Sequence, residues 1–320
     1  MDVSVIIVNW NVRDLLRRCL LSLGKRQETL ALSTEVIVVD CASTDGSADM
    51  LRQEFPGVRL IASQENLGYA RGNNLGIAQA SGRYLLILNP DAELVGGALA
   101  DMARYLDEHP QVGALGPALR YPDGTLQSSR RRFPTLATAF WESTLLHQWF
   151  PNNRIARLYH MADRPADAPQ PVDWLVGAAL MTRRETWQQV GPLDEGFFMY
   201  FEELDWCRRC RAAGWEIHYL PDAEVVHHEG KSSQQVITAR LLRFQRSKIR
   251  YFFKYHGAGW ALVIRLFLLG TFAFQLCQEG LKWLAGHKRG LRRERMASHW
   301  QVLRSGLAAD RRMGADKRIT

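Results

Sequence analysis

The sequence predicts an α/β fold with a mostly parallel central sheet and flanking helices, followed by a basic, amphipathic helical region at the C-terminal end. Three observations carry this. Short apolar, β-branched runs alternate with segments of helical spacing through the first 90 residues, the pattern of right-handed βαβ crossovers. The 47% apolar share is enough for a full core over 320 residues. Charge is uneven: residues 241–320 hold 17 Lys and Arg against 4 Asp and Glu, whereas residues 1–240 hold 24 against 29. The net charge of +8 therefore belongs to the last quarter of the chain, and the main body is mildly acidic.

Residues 3–8 (VSVIIV) suit a strand buried on both faces, so the chain opens on a strand rather than on a leader peptide. Asn9-Trp10-Asn11 ends it, and 12–24 has helical spacing closed by Gly24. A second strand, 35–39, runs into Asp40, and a helix through about Phe55 follows with Thr44 or Asp45 as its N-cap. A third strand, 58–62, leads through Gln64-Glu65-Asn66-Leu67-Gly68 into a helix over 69–80. A fourth strand, 84–88, stops at Asn89-Pro90-Asp91, before a helix over 96–109 and a strand near 112–115. Tyr121-Pro122-Asp123-Gly124 is a turn, 128–134 (SSRRRFP) a loop, and 150–171 a surface segment without periodicity. Residues 172–179 read as a strand whose small residues admit a close neighbour, and strands near 215–220 and 224–227 end in His227-His228.

In a parallel sheet, ligands bind beyond the carboxyl ends of the strands. That rule selects the loops at Asn9, Asp40, Gln64 and Asn89, two of which end in an aspartate. No GxGxxG follows the first strand and no GxxxxGK[ST] is present, which disfavours dinucleotide and P-loop chemistry. Behind the aromatic run 197–201 stand Glu202, Glu203 and Asp205, either a cleft wall or the acidic first turn of a helix. Asp91 with a histidine suits Mg²⁺ or Mn²⁺ with positions left for phosphate oxygens, and a cluster carboxylate suits a proton acceptor. Arg130 and Arg131 beside two serines suit a phosphate, or a solvated loop. Five scattered cysteines argue for a reducing compartment, and Cys207-x-x-Cys210 inside a helical pattern reads as packing.

The segments VSVIIVNWN, VIVVDCASTDGS, NLGYARGNNLGI, LLILNPDAEL, DGTLQSSRRRFP, WLVGAALMTRRE, VGPLDEGFFMYFEELDWCRR and VVHHEGKSS occur in this order over about 230 residues. In these the sequence resembles the inverting glycosyltransferases of family 2, with the GT-A fold, and most closely the bacterial rhamnosyltransferase-like branch. The resemblance implies transfer of a sugar, rhamnose from its dTDP form, to a glycan or lipid-linked acceptor in cell-surface polysaccharide synthesis. It implies that Asp40 contacts the nucleobase, with Asn9, Asn66, Gly68 and Arg71 beside it. Asn89-Pro90-Asp91 takes the place of a DxD motif, with Asp91 on the metal and diphosphate, His227 as a further ligand (His228 if the register slips), and Glu93 as a second oxygen. Glu203 stands at the base position, with Glu202 or Asp205 the alternatives; Arg130, Arg131, Trp174 and Gly177 fall to the acceptor or phosphate. Residues 1–235 would form the catalytic domain, with 1–116 binding the nucleotide sugar and 117–235 the acceptor. Two other readings stay open. A sugar-phosphate nucleotidyltransferase needs a Gly-rich basic loop where Asn9-Trp10-Asn11 stands, and a non-catalytic sugar-nucleotide-binding protein draws support from Asn89 in place of an acid.

Residues 236–320 read as an amphipathic, membrane-associating region. Residues 260–284 are mostly apolar with Trp near both ends, yet the uncharged run 266–278 is too short to span a bilayer alone. Five basic residues over 287–295 suit anionic lipid headgroups better than nucleic acid. The expected place is the cytoplasmic face of the inner membrane, peripheral or shallowly inserted.

Overall fold

A computed structural model describes residues 1–27, 32–144, 149–150, 153–228 and 237–308. In chain order the elements are β1 (Val3–Asn9), α1 (Arg13–Gln27), β2 (Thr34–Cys41), α2 (Ser47–Glu54), β3 (Arg59–Ser63), α3 (Gly68–Ala78), β4 (Tyr84–Leu88) and β5 (Ala92–Val95). There follow α4 (Ala98–Glu108), β6 (Val112–Arg120), β7 (Leu126–Gln127), β8 (Arg130–Arg131), α5 (Leu136–Glu142), α6 (Arg154–Tyr159), β9 (Gln170–Pro171) and β10 (Trp174–Leu175). The last are β11 (Ala179–Arg183), α7 (Arg184–Val190), α8 (Glu202–Ala212), β12 (Glu216–His227), α9 (Ile237–Leu284) and α10 (Arg289–Ser305). They form two compact units: Met1–Phe133 with Arg157–Phe198 and Glu202–Ser232, and Pro134–Ala156 with Met199–Phe201 and Ser233–Thr320.

The first unit is built on one sheet, ordered β3-β2-β1-β4-β11-β6-β12-β5 among the described residues, with β7 on β6 and β9 on β12. Strands β3, β2, β1 and β4 are mutually parallel, as the βαβ pattern implies. Antiparallel β11 then joins β4 to β6, β12 runs parallel to β6, and β5 closes the edge antiparallel to β12. Val3, Val5, Ile7, Val38 and Leu86 bury one face against Leu16 and Leu20 of α1, Leu51 of α2 and Met102 of α4. On the other face α3 lies close to the sheet. A Cβ at Gly76 would stand 2.6 Å from an Ile6 methyl, and one at Gly72 2.8 Å from a Val8 methyl.

Several boundaries depart from the sequence reading, each for a local reason. Helix α1 runs through Gly24 to Gln27, because that glycine has open space around it and no left-handed φ to end the helix. Neither Thr44 nor Asp45 caps α2: Gly46 does, at φ 83°, while Asp45 accepts from the Ser47 and Arg13 N–H groups. The expected strand over 172–179 divides into β10 and β11 around Gly177. The two late strands are one, with a register shift between Leu220 and Glu224 at Pro221, where a proline is accommodated by a bulge. Strand β5 is the main omission. Helix α6 and strand β9 lie in the stretch read as structureless. Cys207 and Cys210 are fully buried free thiols, in keeping with packing.

In the second unit α9 is broken at Gly257 (φ 86°, ψ 170°) and α10 packs back along it. Arg292 donates to Glu279 Oε2 at 2.7 Å, the Thr238 and Ser298 hydroxyls meet at 2.8 Å, and Arg265 donates to the Gly306 carbonyl. Tyr200 and Phe201 both lie in the left-handed region at φ 70°, and each sets its ring edge-on to Phe244 at 5.5 Å. Ser247 Oγ donates to the Met199 carbonyl at 2.9 Å. Helix α9 carries an 18-residue window of mean hydropathy 1.8, long and apolar enough to cross a membrane, more than the uncharged run 266–278 alone implies. Trp260, Leu262, Leu266, Phe274, Leu281 and Leu284 of this helix are exposed.

Candidate active site

Parallel strands deliver their carboxyl ends to one edge, and that edge gathers Asn9, Asp40, Ser63 and Asn89. Asn9 and Asp40 are register partners across β1 and β2. Asn9 Nδ2 donates to Asp40 Oδ2 at 2.8 Å and to Ser43 Oγ at 3.2 Å, and the Ser43 N–H donates to Asp40 Oδ1 at 3.0 Å. Both residues are buried, and Asn9 Oδ1 has no hydrogen-bond partner. Asn66 Oδ1 accepts from the Gly68 N–H at 3.0 Å, which fixes the start of α3. Gly68 sits at φ 76° because a side chain there would overlap the Phe198 carbonyl at 2.5 Å. Arg71 is exposed and pairs with Glu65 at 2.9 Å. It lines an open groove of about 800 Å³ with Ser63, Gln64, Leu67 and Asn74.

Asp91 lies in the short link Asn89-Pro90-Asp91 after β4, and β5 begins at the next residue. The pairing of β5 with β12 places His227 opposite Ala92, so His227 Nε2 stands 3.3 Å from Asp91 Oδ1. Both side chains are only 6% exposed. Asn89 Nδ2 lies 3.3 Å from the same Nε2, and Gln127 Oε1 lies 2.9 Å from His227 Nδ1. His228 points elsewhere: its Nε2 meets Glu93 Oε1 at 2.8 Å, and Arg18 meets the same oxygen at 2.7 Å. The second oxygen expected from Glu93 is thus not brought to Asp91, because the carboxylate is taken up by His228 and Arg18. Among the described residues no group of three or more His, Cys, Asp or Glu forms a ready cation cage. Asp91 with His227 nevertheless fits a hard divalent ion: a carboxylate oxygen and an imidazole nitrogen face each other almost out of solvent. Two protein ligands are what Mg²⁺ or Mn²⁺ takes when phosphates and water fill its other positions.

Glu202 and Glu203 open α8, at the positive end of its dipole. Glu203 Oε1 accepts from the Gly177 N–H at 3.4 Å, and a Cβ on Gly177 would press on the Glu203 side chain at 3.4 Å. The Gly177 carbonyl accepts from the Tyr69 hydroxyl at 2.6 Å. One carboxylate oxygen of each glutamate is buried without a hydrogen-bond partner. Burial pushes the Glu202 carboxyl well up, and the adjacent Glu203 charge adds to it. Burial also raises Glu203, against the pull of its own N–H and those of Gly177 and Leu204. Tyr69 is raised by burial and then by the charges of Glu202, Glu203 and Asp91, so all three acids bear on one hydroxyl. The Asn89 N–H donates to the Ala178 carbonyl at 2.9 Å, which ties the Asp91 loop to the residue beside Gly177.

Other expected site residues serve the framework. Asp205 is fully buried and held by Arg209 at 3.0 Å, so it is committed to the interior of α8 and not available as a base. Arg130 is buried, donates to the Pro165 and Arg164 carbonyls and lies over the Tyr219 ring, which leaves it no reach to a phosphate. Arg131 donates to Ser128 Oγ and to the Arg130 carbonyl. Trp174 is buried with its indole N–H on the Arg132 carbonyl, a wall rather than a contact surface. Sequence reasoning passed over Tyr69 and Gln127. Tyr69 lies in NLGYARG, where only its place in the first turn of the helix after β3 marks it. Gln127 lies between the 121–124 turn and the 128–134 loop, where no pattern marks it.

Residues 4–169 match the family described as Glycosyl transferase family 2. The chain is 32% identical over 262 residues to the N-acetylglucosaminyl-diphospho-decaprenol L-rhamnosyltransferase of Mycobacterium tuberculosis, covering 77% of this chain and 85% of that protein. It is 24% identical over 257 residues to the rhamnosyltransferase WbbL of Escherichia coli, covering 78% and 92%. In fold it is similar to the mannosyltransferase PcManGT from Pyrobaculum calidifontis, solved with GDP-Man and Mn²⁺, at TM-score 0.54 and 20% identity, covering 96% of this chain and 85% of that one. These likenesses set aside the nucleotidyltransferase and the non-catalytic binding protein. With a mixed α/β sheet of GT-A type and a family match over half its length, the chain belongs to glycosyl transferase family 2, on its rhamnosyltransferase-like branch.

Proposed function

We propose that this glycosyltransferase moves rhamnose from its dTDP form to a hydroxyl of a glycan or lipid-diphosphate-linked acceptor, by a single displacement with inversion. The observation that carries the reading is that Asn89, two residues before Asp91, and Glu203, far apart in sequence, are both hydrogen-bonded to the dipeptide Gly177-Ala178. Residues 1–116 hold the nucleotide sugar, with Asp40 and Asn9 at the base and Asn66, Gly68 and Arg71 along the groove; residues 117–235 receive the acceptor. Glu203 takes the proton of the acceptor hydroxyl. The freed oxygen bonds to the anomeric carbon while the bond from that carbon to the phosphate oxygen breaks, and the diphosphate leaves with the bonding pair. Burial supports the base assignment, since a raised carboxyl lies nearer working pH and holds a proton longer. Asp91 and His227 are the residues that would hold Mn²⁺ or Mg²⁺. When bound, such an ion neutralises charge on the departing diphosphate. The names of the relatives support a rhamnosyl donor and a prenyl-diphosphate acceptor, and the exposed apolar residues of α9 support work at a membrane, which this reading takes to be the cytoplasmic face of the inner membrane.

The test is transfer from a panel of nucleotide sugars, followed by product mass. Glu203→Gln is expected to lower kcat by about 10²–10⁴ with the fold kept. Asp91→Ala is expected to lose the dependence on Mn²⁺ as well as rate. Full kcat in folded Glu203→Gln ends the base assignment.

A further inference from the structure

His227 is held from both sides by side-chain amides, and the two contacts are not equivalent. Gln127 Oε1 stands 2.9 Å from Nδ1, and a carbonyl oxygen only accepts, so the ring hydrogen sits on Nδ1. Asn89 Nδ2 stands 3.3 Å from Nε2, and an amide NH₂ only donates, so Nε2 presents its lone pair. Asp91 Oδ1 faces that same Nε2 at 3.3 Å, with both side chains 6% exposed. The carboxylate oxygen and the ring nitrogen lie within reach of one cation in a nearly closed space, and a bound cation would take the place of the Asn89 contact at Nε2. Gln127 is itself buried. It is fixed by the pairing of β7 with β6, where Leu119 has Gln127 on one side and Val225, two residues before His227, on the other.

We propose that Gln127 is a positioning residue that keeps the hydrogen of His227 on Nδ1, leaving Nε2 as a lone-pair ligand for the divalent ion shared with Asp91. The inference rests on the proposed use of a metal and extends it to a residue that does not touch the ion. Without the Gln127 oxygen, the Nδ1–H would be buried without a partner, and Asp91 would favour the other tautomer, whose Nε2–H it can accept. The ring would then present a hydrogen where the ion needs an electron pair. Residues of this orienting kind typically change metal affinity by about 10–100-fold.

The experiment uses the full chain in three forms: wild type, Gln127→Met, which keeps the bulk and loses the acceptor, and Gln127→Glu, which keeps an acceptor. Gln127→Ser, with a hydroxyl too short to reach the ring, replaces Gln127→Met if the latter does not fold. Nitrogen-15 spectra of selectively labelled histidine, with His227 assigned from His227→Asn, report which ring nitrogen carries the hydrogen without any metal present. Spin-resonance titration of Mn²⁺, alone and with dTDP, reports affinity. The expected result is an Nδ1–H tautomer in wild type and Gln127→Glu, its loss in Gln127→Met, and Mn²⁺ binding about 10–100-fold weaker in Gln127→Met alone. An unchanged tautomer in Gln127→Met overturns the assignment, and so does a changed tautomer with unchanged Mn²⁺ affinity. Failure of the wild type to bind Mn²⁺ while showing the Nδ1–H tautomer overturns the metal reading instead, so the two failures are told apart.

Discussion

Two adjacent glutamates share one nearly closed corner, and they do not carry the same burden. Glu202 is the more deeply buried of the pair, and its carboxyl is raised first by burial and then by the Glu203 charge. A carboxyl raised on folding stabilises the native state below its ordinary value of 4.5 and loses that contribution as pH climbs towards the folded value. Glu202→Gln stays neutral throughout. Its stability is therefore expected to match wild type near pH 4 and to exceed it increasingly towards pH 8, by up to about 1.4 kcal/mol for each unit that separates folded and unfolded values, with the melting temperature following. Differential scanning at a series of pH values reads this, and parallel curves would show that Glu202 ionises as freely folded as unfolded. With Glu203 as the proposed base, its raised carboxyl is expected to put the acid limb of kcat/KM above the ordinary glutamate range, which a pH–rate profile reads. The placement of Glu203, Asp91 and His227 at element ends was legible, because each falls where a strand stops or a helix starts behind an apolar run. Glu93, Asp205 and Arg130 misled because charge alone does not say which way a side chain faces. Their partners Arg18, Arg209 and the Pro165 carbonyl lie on other elements or one helical turn away.

At the scale of elements, α3 lies against β1 and β2 through glycines where most helices would offer a methyl or larger. Gly76→Ala improves helix propensity by roughly 0.5–1 kcal/mol but drives a methyl against the branched Ile6 and Val39 side chains. We expect the clash to prevail, with a net loss of about 1–2 kcal/mol in denaturant unfolding. A stability gain would mean that α3 can lift from the sheet without cost. The parallel half of the sheet was readable because its strands are continuous apolar runs, and 84–88 matched to the residue. Strand β5 was overlooked although Ala92-Glu93-Leu94-Val95 alternates in the manner of a half-exposed strand. Four residues are too few for periodicity to stand out, and the partner that makes them a strand lies at 224–227.

At the scale of the whole molecule, the chain joins a mildly acidic catalytic unit to a basic helical one. The exposed Trp260, Leu262, Leu266 and Phe274, with the arginines of α10, are expected to hold the protein on vesicles containing anionic lipid in flotation at low salt. Raising salt should loosen but not abolish the attachment, since the apolar contribution is insensitive to screening. Recovery of the full chain in the soluble fraction at low salt without detergent would remove the membrane assignment. The charge split and the Trp-flanked apolar run made this region readable, but the return of α10 along α9 was not, because it depends on the Glu279–Arg292 pair and a few packed side chains. The sheet order has a further consequence, for biosynthesis. Among the described residues strand β5 pairs with β12 alone, so a nascent chain displays Asp91 beside an unmated strand until residues 216–227 emerge. Every fragment that stops short of them lacks both that strand's mate and His227, and on the proposed mechanism would transfer no sugar even when folded.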